Sequence, residues 1–296
     1  MKIFDCFMYY DENLILDLRL NLLNEYIDEF IIVESIYTHS GEPRKLLFDI
    51  NNYSKFKKKI KYIVLDDLPK DLFSINKEDA ENIKNSKYIL NAAKRENFQR
   101  NAILQGLISA SPDDLIIISD VDEIPNLENN ILNKIKKKII LFEQQFFYYK
   151  FNLKLDNFHW HGSRACKKKY LISPQWLRNI KGKPYPFWRL DTLFSKNKYQ
   201  NIQIIPNGGW HFSNIKTPAE IEKKMRTYLH HREYDLNPIG EKKIREIIKK
   251  KKPIYNLKTD MKSNKFDLSQ QLKVSDIKEL PSYVIQNIKK YKYWIE

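Results

Sequence analysis

Two cysteines in 296 residues are too few for a disulfide framework, and Cys6 and Cys166 stand in no zinc-binding spacing. Glycine is scarce too, at seven, so two glycines side by side mark a place where the backbone needs positive φ or approaches a ligand closely. No apolar run nears the roughly 20 residues of a membrane-spanning helix. The opening Met1-Lys2-Ile3-Phe4-Asp5-Cys6-Phe7 runs directly into a strand-like pattern and meets an acid early, unlike a signal peptide. The expectation is a cytoplasmic location, with Cys6 a reduced core residue. Acids are in deficit: 37 Asp and Glu against 52 Lys and Arg, a formal charge of +15.

What is present is enough for a large core, in one large domain or two small ones, and 13% aromatic residues exclude general disorder. The positive charge comes in lysine runs, at Lys57 to Lys59, Lys136 to Lys138, Lys167 to Lys169 and Lys249 to Lys252. Such a field attracts polyanions: nucleic acid, anionic lipid headgroups or phosphorylated substrates. The alternative is a solvated surface in a chain rich in Lys, Asn and Ile.

The chain is organised around Leu115-Ile116-Ile117-Ile118-Ser119-Asp120-Val121-Asp122-Glu123-Ile124-Pro125. The β-branched run reads as a strand buried on both faces, the kind found in parallel sheets covered by helices. It stops at three carboxylates, and Pro125 is expected to end the ladder. Ligands bind at the carboxyl ends of strands in open α/β sheets. Asp120 and Asp122 point the same way in an extended segment, and two converging carboxylates call for a cation such as Mg2+ or Mn2+. The plainer alternative is a solvated acidic turn.

Residues 2–8 read as a first strand, and Asp11-Glu12-Asn13 as the start of an apolar helix to about Tyr26. Phe30 to Val33 is a second buried strand ending at Glu34-Ser35, and Tyr37 to Pro43 a polar loop. A short strand is expected near 45–50, a basic helix over 51–59, a third core strand over 60–65, and a long helix from about Asn91 to Ile108. Strand and helix alternating in this way predict a doubly wound α/β sheet over the first 125 residues. Beyond Pro125 the pattern predicts a helix over 127–137 and an aromatic strand over 139–152. An aromatic, polar zone follows, with Trp160, Trp176 and Tyr185-Pro186-Phe187-Trp188-Arg189. Aromatic faces beside polar groups hold sugar rings or stack on bases, although core packing is their commoner use. Ile202 to Ile205 leads into Pro206-Asn207-Gly208-Gly209-Trp210-His211-Phe212-Ser213, where His211 has a metal-ligand side chain. Thr217-Pro218-Ala219-Glu220 is a capped helix start. The basic, aromatic C-terminus is suited either to touching a membrane surface or to packing back on the domain.

Asp11 to Asn24 with Phe30 to Gly41, Ser119 to Pro125, and Gly208 to Ser213 together resemble glycosyltransferase family 17, over about residues 1–235. That family includes the β-1,4-N-acetylglucosaminyltransferase that adds bisecting GlcNAc, with bacterial and viral relatives. The resemblance implies a GT-A fold: a nucleotide-sugar-binding half over 1–125, an acceptor-binding half over 126–235, and here a basic C-terminal extension over 236–296. It implies a UDP-sugar donor, UDP-GlcNAc first, with Mn2+ or Mg2+ and inversion at the anomeric carbon. The acceptor would be a saccharide or glycolipid, as in lipopolysaccharide or capsule synthesis. The enzyme would work in the cytosol, with peripheral contact at the inner face of the membrane through its basic C-terminus.

On that resemblance Asp120 and Asp122 match the Asp-X-Asp motif, and His211 completes the metal shell. The nucleotide-sugar site would draw on Asp11, Glu34, His39, Arg95, Arg100, Asp120 and Lys224, and the acceptor site on Trp160, Trp188 and Trp210. The general base is expected between the metal motif and His211; Asp191, after an aromatic loop, is the first choice and Glu123 the second. Two other classes use the same features. A metal-dependent nuclease or nucleic-acid-binding protein would share the acids and the charge, but the lysine runs are scattered and no nucleic-acid motif accompanies them. A non-catalytic sugar- or lipid-binding module would not need Asp120 or Asp122.

Overall fold

The structure, a computed structural model, describes residues 1–128, 131–182, 195, 198–199, 201–229, 231–254 and 270–296. Among these, eleven strands form one sheet. Its first half is parallel: β1 (Ile3–Met8), β2 (Glu29–Ser35), β3 (Ile60–Leu65) and β4 (Leu115–Asp120) lie in the order β3-β2-β1-β4. Alternation along β1 explains why both faces need cover. Phe7 and Tyr9 enter one apolar cluster with Leu16, Leu20 and Leu23 of helix α1 (Asn13–Leu23). Phe4 and Cys6 enter the other with Ile103 and Leu107, beyond helix α2 (Glu81–Asn101). This is the doubly wound arrangement expected over the first 125 residues.

The second half of the sheet is mixed. β5 (Glu123–Pro125) is a three-residue strand paired with β10, and its ladder ends at Pro125 as expected. β6 (Ile139–Tyr148) carries the most neighbours. It pairs antiparallel with β7 (Leu153–Lys154) and β8 (Trp160–Lys167), and parallel with β9 (Ile202–Ile205) along its start and β10 (Gly209–Ser213) along its end. β8 lies between β4 and β6, antiparallel to both. β10 also pairs antiparallel with β5, bringing His211 opposite Glu123. The short helix α3 (Pro174–Asn179) starts at a Ser173 cap. Helix α4 (Pro218–Thr227) starts at the Thr217–Glu220 capping box that the sequence predicts.

Three expectations change. No strand forms at 45–50, because the amides of Leu47 and Phe48 are used by the Glu34 carboxylate, at 2.8 and 3.0 Å. The long helix starts ten residues early, at Glu81, since its buried face includes Asn91, Gln99 and Arg100 as well as Ala92. Over 127–137 the only helical element among the described residues is a 3-10 turn, Ile131–Lys134.

The C-terminal segment packs back on the sheet. β11 (Lys273–Val274) pairs with β7, Val284 and Tyr291 are fully buried, and the Phe151 amide donates to the Trp294 carbonyl at 2.8 Å. No helix among the described residues is long and apolar enough to cross a membrane.

Candidate active site

Parallel β1, β2 and β4 end on one edge of the sheet, and β10 brings His211 beside Asp122, just past the end of β4. The acidic turn after β4 is held from below by Arg19. This arginine is fully buried on the leucine-rich α1, and makes a bidentate pair with the equally buried Asp5 at 2.7 and 2.6 Å. Its remaining N–H groups donate to the carbonyls of Asp120, Val121 and Glu123, at 3.1, 3.2 and 2.7 Å. The turn's backbone is therefore fixed by a charge-assisted cradle. From the other side the Phe212 amide donates to the Asp122 carbonyl at 2.9 Å. The two adjacent glycines serve this approach. Gly209 has φ +140°, and a Cβ there would stand 2.1 Å from the Ile124 carbonyl oxygen. The close approach is to the β5 backbone rather than to a ligand.

Asp120 and Asp122 take different partners. Asp122 faces His211, with Nε2 at 3.6 Å from Oδ1, and Lys224, with Nζ at 3.8 Å from Oδ2. Asp120 accepts from Arg100 at 3.0 Å and from Arg178, on α3, at 2.9 Å. Burial works against the ionised form of both carboxylates. For Asp120, Arg178 and then Arg100 outweigh it and hold the carboxyl far below the usual range; for Asp122, His211 and then Lys224 outweigh it and lower the carboxyl. Arg178 also binds both oxygens of Glu123, at 2.7 and 3.0 Å. Glu123 further accepts the Trp160 indole N–H at 2.7 Å and the Asp120 amide at 2.9 Å, and is fully buried. With four donors on a buried carboxylate, Glu123 braces the turn and Arg178. That differs from the exposed, loosely held acid that a general base needs.

The expected metal set comes together only in part. Among the described residues no three His, Cys, Asp or Glu side chains gather around one point. Asp120 is turned to the arginines, while Asp122 and His211 stand as a pair. Two ligands each about 2.1 Å from one ion lie roughly 3–4 Å apart, and the Asp122–His211 separation is in that span. The buried Nδ1 of His211 has no hydrogen-bond partner among the described residues, and its ring is fixed by Phe146 and Trp160, with centroids at 4.2 and 5.3 Å. One carboxylate and one imidazole suit Mn2+ or a similar borderline ion whose shell a diphosphate fills.

The remaining expected residues fall into three groups. Asp11 pairs with Lys216 and, with Asp122 and Lys224, lines a cavity of about 200 Å³. His39 and Arg95 meet at the ends of β2 and β3. His39 Nε2 lies 3.1 Å from Gln99 Oε1, Arg95 donates to the His39 carbonyl at 3.1 Å, and both line a small second cleft with Asp67. Glu34 does not reach a ligand. It is fully buried and used by Arg44, the Leu47 and Phe48 amides, and Tyr62. Trp210, expected at the acceptor, is 7% exposed and donates its indole N–H to the Glu279 carbonyl at 2.7 Å. It belongs to the core. Trp160 stays half-buried beside His211. Trp188 and Asp191 lie outside the described residues.

The sequence reading passed over Arg178 and Arg19. Arg178 carried no local signal. Arg19 carried one, a charge in the middle of the apolar α1 run facing an acid in β1.

A sequence model of one family matches residues 1–296, the whole chain. The chain belongs to glycosyltransferase family 17. Two proteins named β-1,4-mannosyl-glycoprotein 4-β-N-acetylglucosaminyltransferase, from Homo sapiens and Rattus norvegicus, are each 30% identical to it over 115 residues. That segment is 38% of this chain and 19% of each relative's length. Among solved structures, HddC from Yersinia pseudotuberculosis superposes with a TM-score of 0.33 at 9% identity, covering 70% of this chain and 91% of that one. The candidate site of this glycosyltransferase family 17 member lies on a mixed α/β sheet.

Proposed function

We propose that this family 17 chain has a GT-A fold and transfers N-acetylglucosamine from UDP-GlcNAc to a saccharide hydroxyl, with inversion, using a divalent ion held by Asp122 and His211. The observation that carries this reading is the pairing of Asp122 with His211 at 3.6 Å, at the turn that ends the buried β4. When bound, Mn2+ would offset the charge of the diphosphate and of the departing UDP.

This chain's own groups supply the rest. Lys224 stands at the rim of the Asp122 carboxylate, placed to meet a phosphate oxygen. Asp120 is kept ionised and fixed by Arg100 and Arg178, as an acceptor for a ribose or sugar hydroxyl requires. His39, Arg95 and Asp67 line a narrow cleft at the ends of β2 and β3, and a nucleobase would rest across its mouth rather than inside it. The base that takes the acceptor proton is proposed to be Asp191, since Glu123 is consumed by its four donors. Peripheral contact with an anionic membrane surface remains the proposed use of the basic C-terminal lysines.

Manganese resonance tests the reading. Free Mn2+ gives a signal that disappears when the ion is bound. The signal should fall when UDP and the protein are both present, and should persist with Asp122→Asn or His211→Ala. Equal loss of signal with those variants would remove the ion from this pair.

A further inference from the structure

The cavity beside Asp122 has a wall that no part of the transferase reading uses. It lies between the start of α1, the end of β10 and the start of α4, and the C-terminal Trp294 closes it. The tail is held in place there. Besides the bond from Phe151 to the Trp294 carbonyl, Glu296 exchanges backbone bonds with the Asn152 side chain at 3.2 and 2.8 Å, and Lys251 pairs with its carboxylate at 2.7 Å. Trp294 is only partly buried against the core. A fixed aromatic side chain lining an open cavity, 172 positions after Asp122 in the chain, is costly to arrange by accident.

The charge of the lining decides what fits. Four carboxylates, those of Asp11, Glu12, Asp122 and Glu220, face two lysines, Lys216 and Lys224. Lys216 is already bound to Asp11, and an ion on Asp122 would bring the balance level without making it positive. Lys224 and that ion are what the lining offers a phosphate at its rim. Glu12 accepts from the Tyr10 and Asp11 amides, Glu220 from Thr217, and Asn13 Oδ1 from the Tyr9 hydroxyl, so deeper in, a neutral polyhydroxyl ligand meets Asn214, the Asn13 amide N–H groups and an aromatic face for its C–H surface. At about 200 Å³ the space is below the roughly 300–1,000 Å³ of pockets for drug-sized ligands. It suits a single sugar ring and is too small to enclose a whole nucleoside diphosphate, whose phosphates would stay at the rim by Lys224.

We infer that this cavity is a pyranose subsite with Trp294 as its stacking wall, so that the C-terminal segment contributes a binding residue to the active site. The inference rests on the transferase reading only for which sugar arrives: the ring of the acceptor or the ring being transferred.

The test uses full-length protein carrying 5-fluorotryptophan. The five tryptophans give separate fluorine resonances, and the one missing from Trp294→Phe is that of Trp294. Titration with free mannose or N-acetylglucosamine is expected to move this resonance saturably, and Trp294→Ala should weaken the saccharide at least tenfold. Movement by free mannose assigns the acceptor ring; movement by free N-acetylglucosamine alone, or only by UDP-GlcNAc with Mn2+, assigns the donor's ring. No movement with any of these sugars, or full movement with UDP and Mn2+ alone, overturns the inference. The same samples show whether UDP and Mn2+ raise the unfolding temperature. A subsite that fails while this stabilisation persists leaves the transferase reading standing. Should Trp294→Ala not fold, the wild-type titration still decides.

Discussion

Arg178 touches both acids of the turn, and the two contacts have different consequences. Glu123 is fully buried, so removing its arginine leaves an uncompensated charge. Arg178→Ala should cost about 3 kcal/mol or more in urea unfolding; a loss under 1 kcal/mol would show that Trp160 and the Asp120 amide satisfy Glu123 alone. Asp122→Asn should be mild for stability, because the backbone carbonyl that binds Phe212 is kept, while UDP binding that depends on Mn2+ is lost. Calorimetric titration of UDP into the variant with Mn2+ present checks this. Burial pushes the imidazoles of His39, His161 and His231 below the ordinary histidine value of about 6.5. Between that value and their lower folded values the unfolded chain binds more protons, so stability is full above about pH 6.5 and falls as the pH drops through this window. His39→Gln should flatten part of that slope between pH 7 and 5; an unchanged slope would mean that His39 takes up protons equally in the folded and unfolded chain. At this scale Asp120, Asp122 and His211 were legible, because acids directly after a buried strand and a histidine after paired glycines are local signals. Arg178 was not, since its partners lie 58 and 55 positions away and nothing next to it in sequence marks it as a clamp.

Strands and helices place these residues through two buried devices. Asp5 and Arg19 join β1 to α1 and cradle the acidic turn, so the first βα unit sets the geometry of the fourth strand's end. Arg19→Met should be strongly destabilising, by about 3–5 kcal/mol, by stranding Asp5. Asp5→Leu with Arg19→Met should recover much of that loss yet leave the turn's carbonyls without their donors. A double variant with both stability and UDP affinity at wild-type level would show that the cradle is dispensable. Gly209→Ala meets both a φ of +140° and the Ile124 carbonyl, and should lose more than about 1 kcal/mol, read from the urea midpoint. Core strands were legible from their apolar runs. Helix α2 was misplaced because polar side chains make up much of its inward face, so hydrophobic periodicity could not mark its start. The absent strand at 45–50 was illegible for a related reason: Glu34, a distant carboxylate, takes the amides a ladder would use.

Across the whole molecule, the half that follows Pro125 is tied to the first half by β8, inserted between β4 and β6, and by a C-terminal segment that reaches back over the sheet. Composition and periodicity marked 236–296 only as basic and aromatic; the partners of Trp294 and Glu296, at Phe151 and Asn152, are set by tertiary packing. The family match, which runs through residue 296, agrees with that packing. A chain ending at residue 280 loses Val284 and Tyr291 from the core, and should unfold at a distinctly lower temperature in calorimetry. An unchanged transition would make the segment an appendage. The central claim is a UDP-sugar site built on Asp122 and His211, and thermal unfolding with UDP, GDP and CMP, each with and without Mn2+, tests it most directly. A nucleotide at a hundred times its dissociation constant adds about 2.7 kcal/mol of stability. With Asp122 and His211 as the ion's ligands, UDP should raise the transition only with Mn2+, and not in Asp122→Asn. A transition that no nucleotide moves, or that UDP moves equally well without the ion, contradicts it.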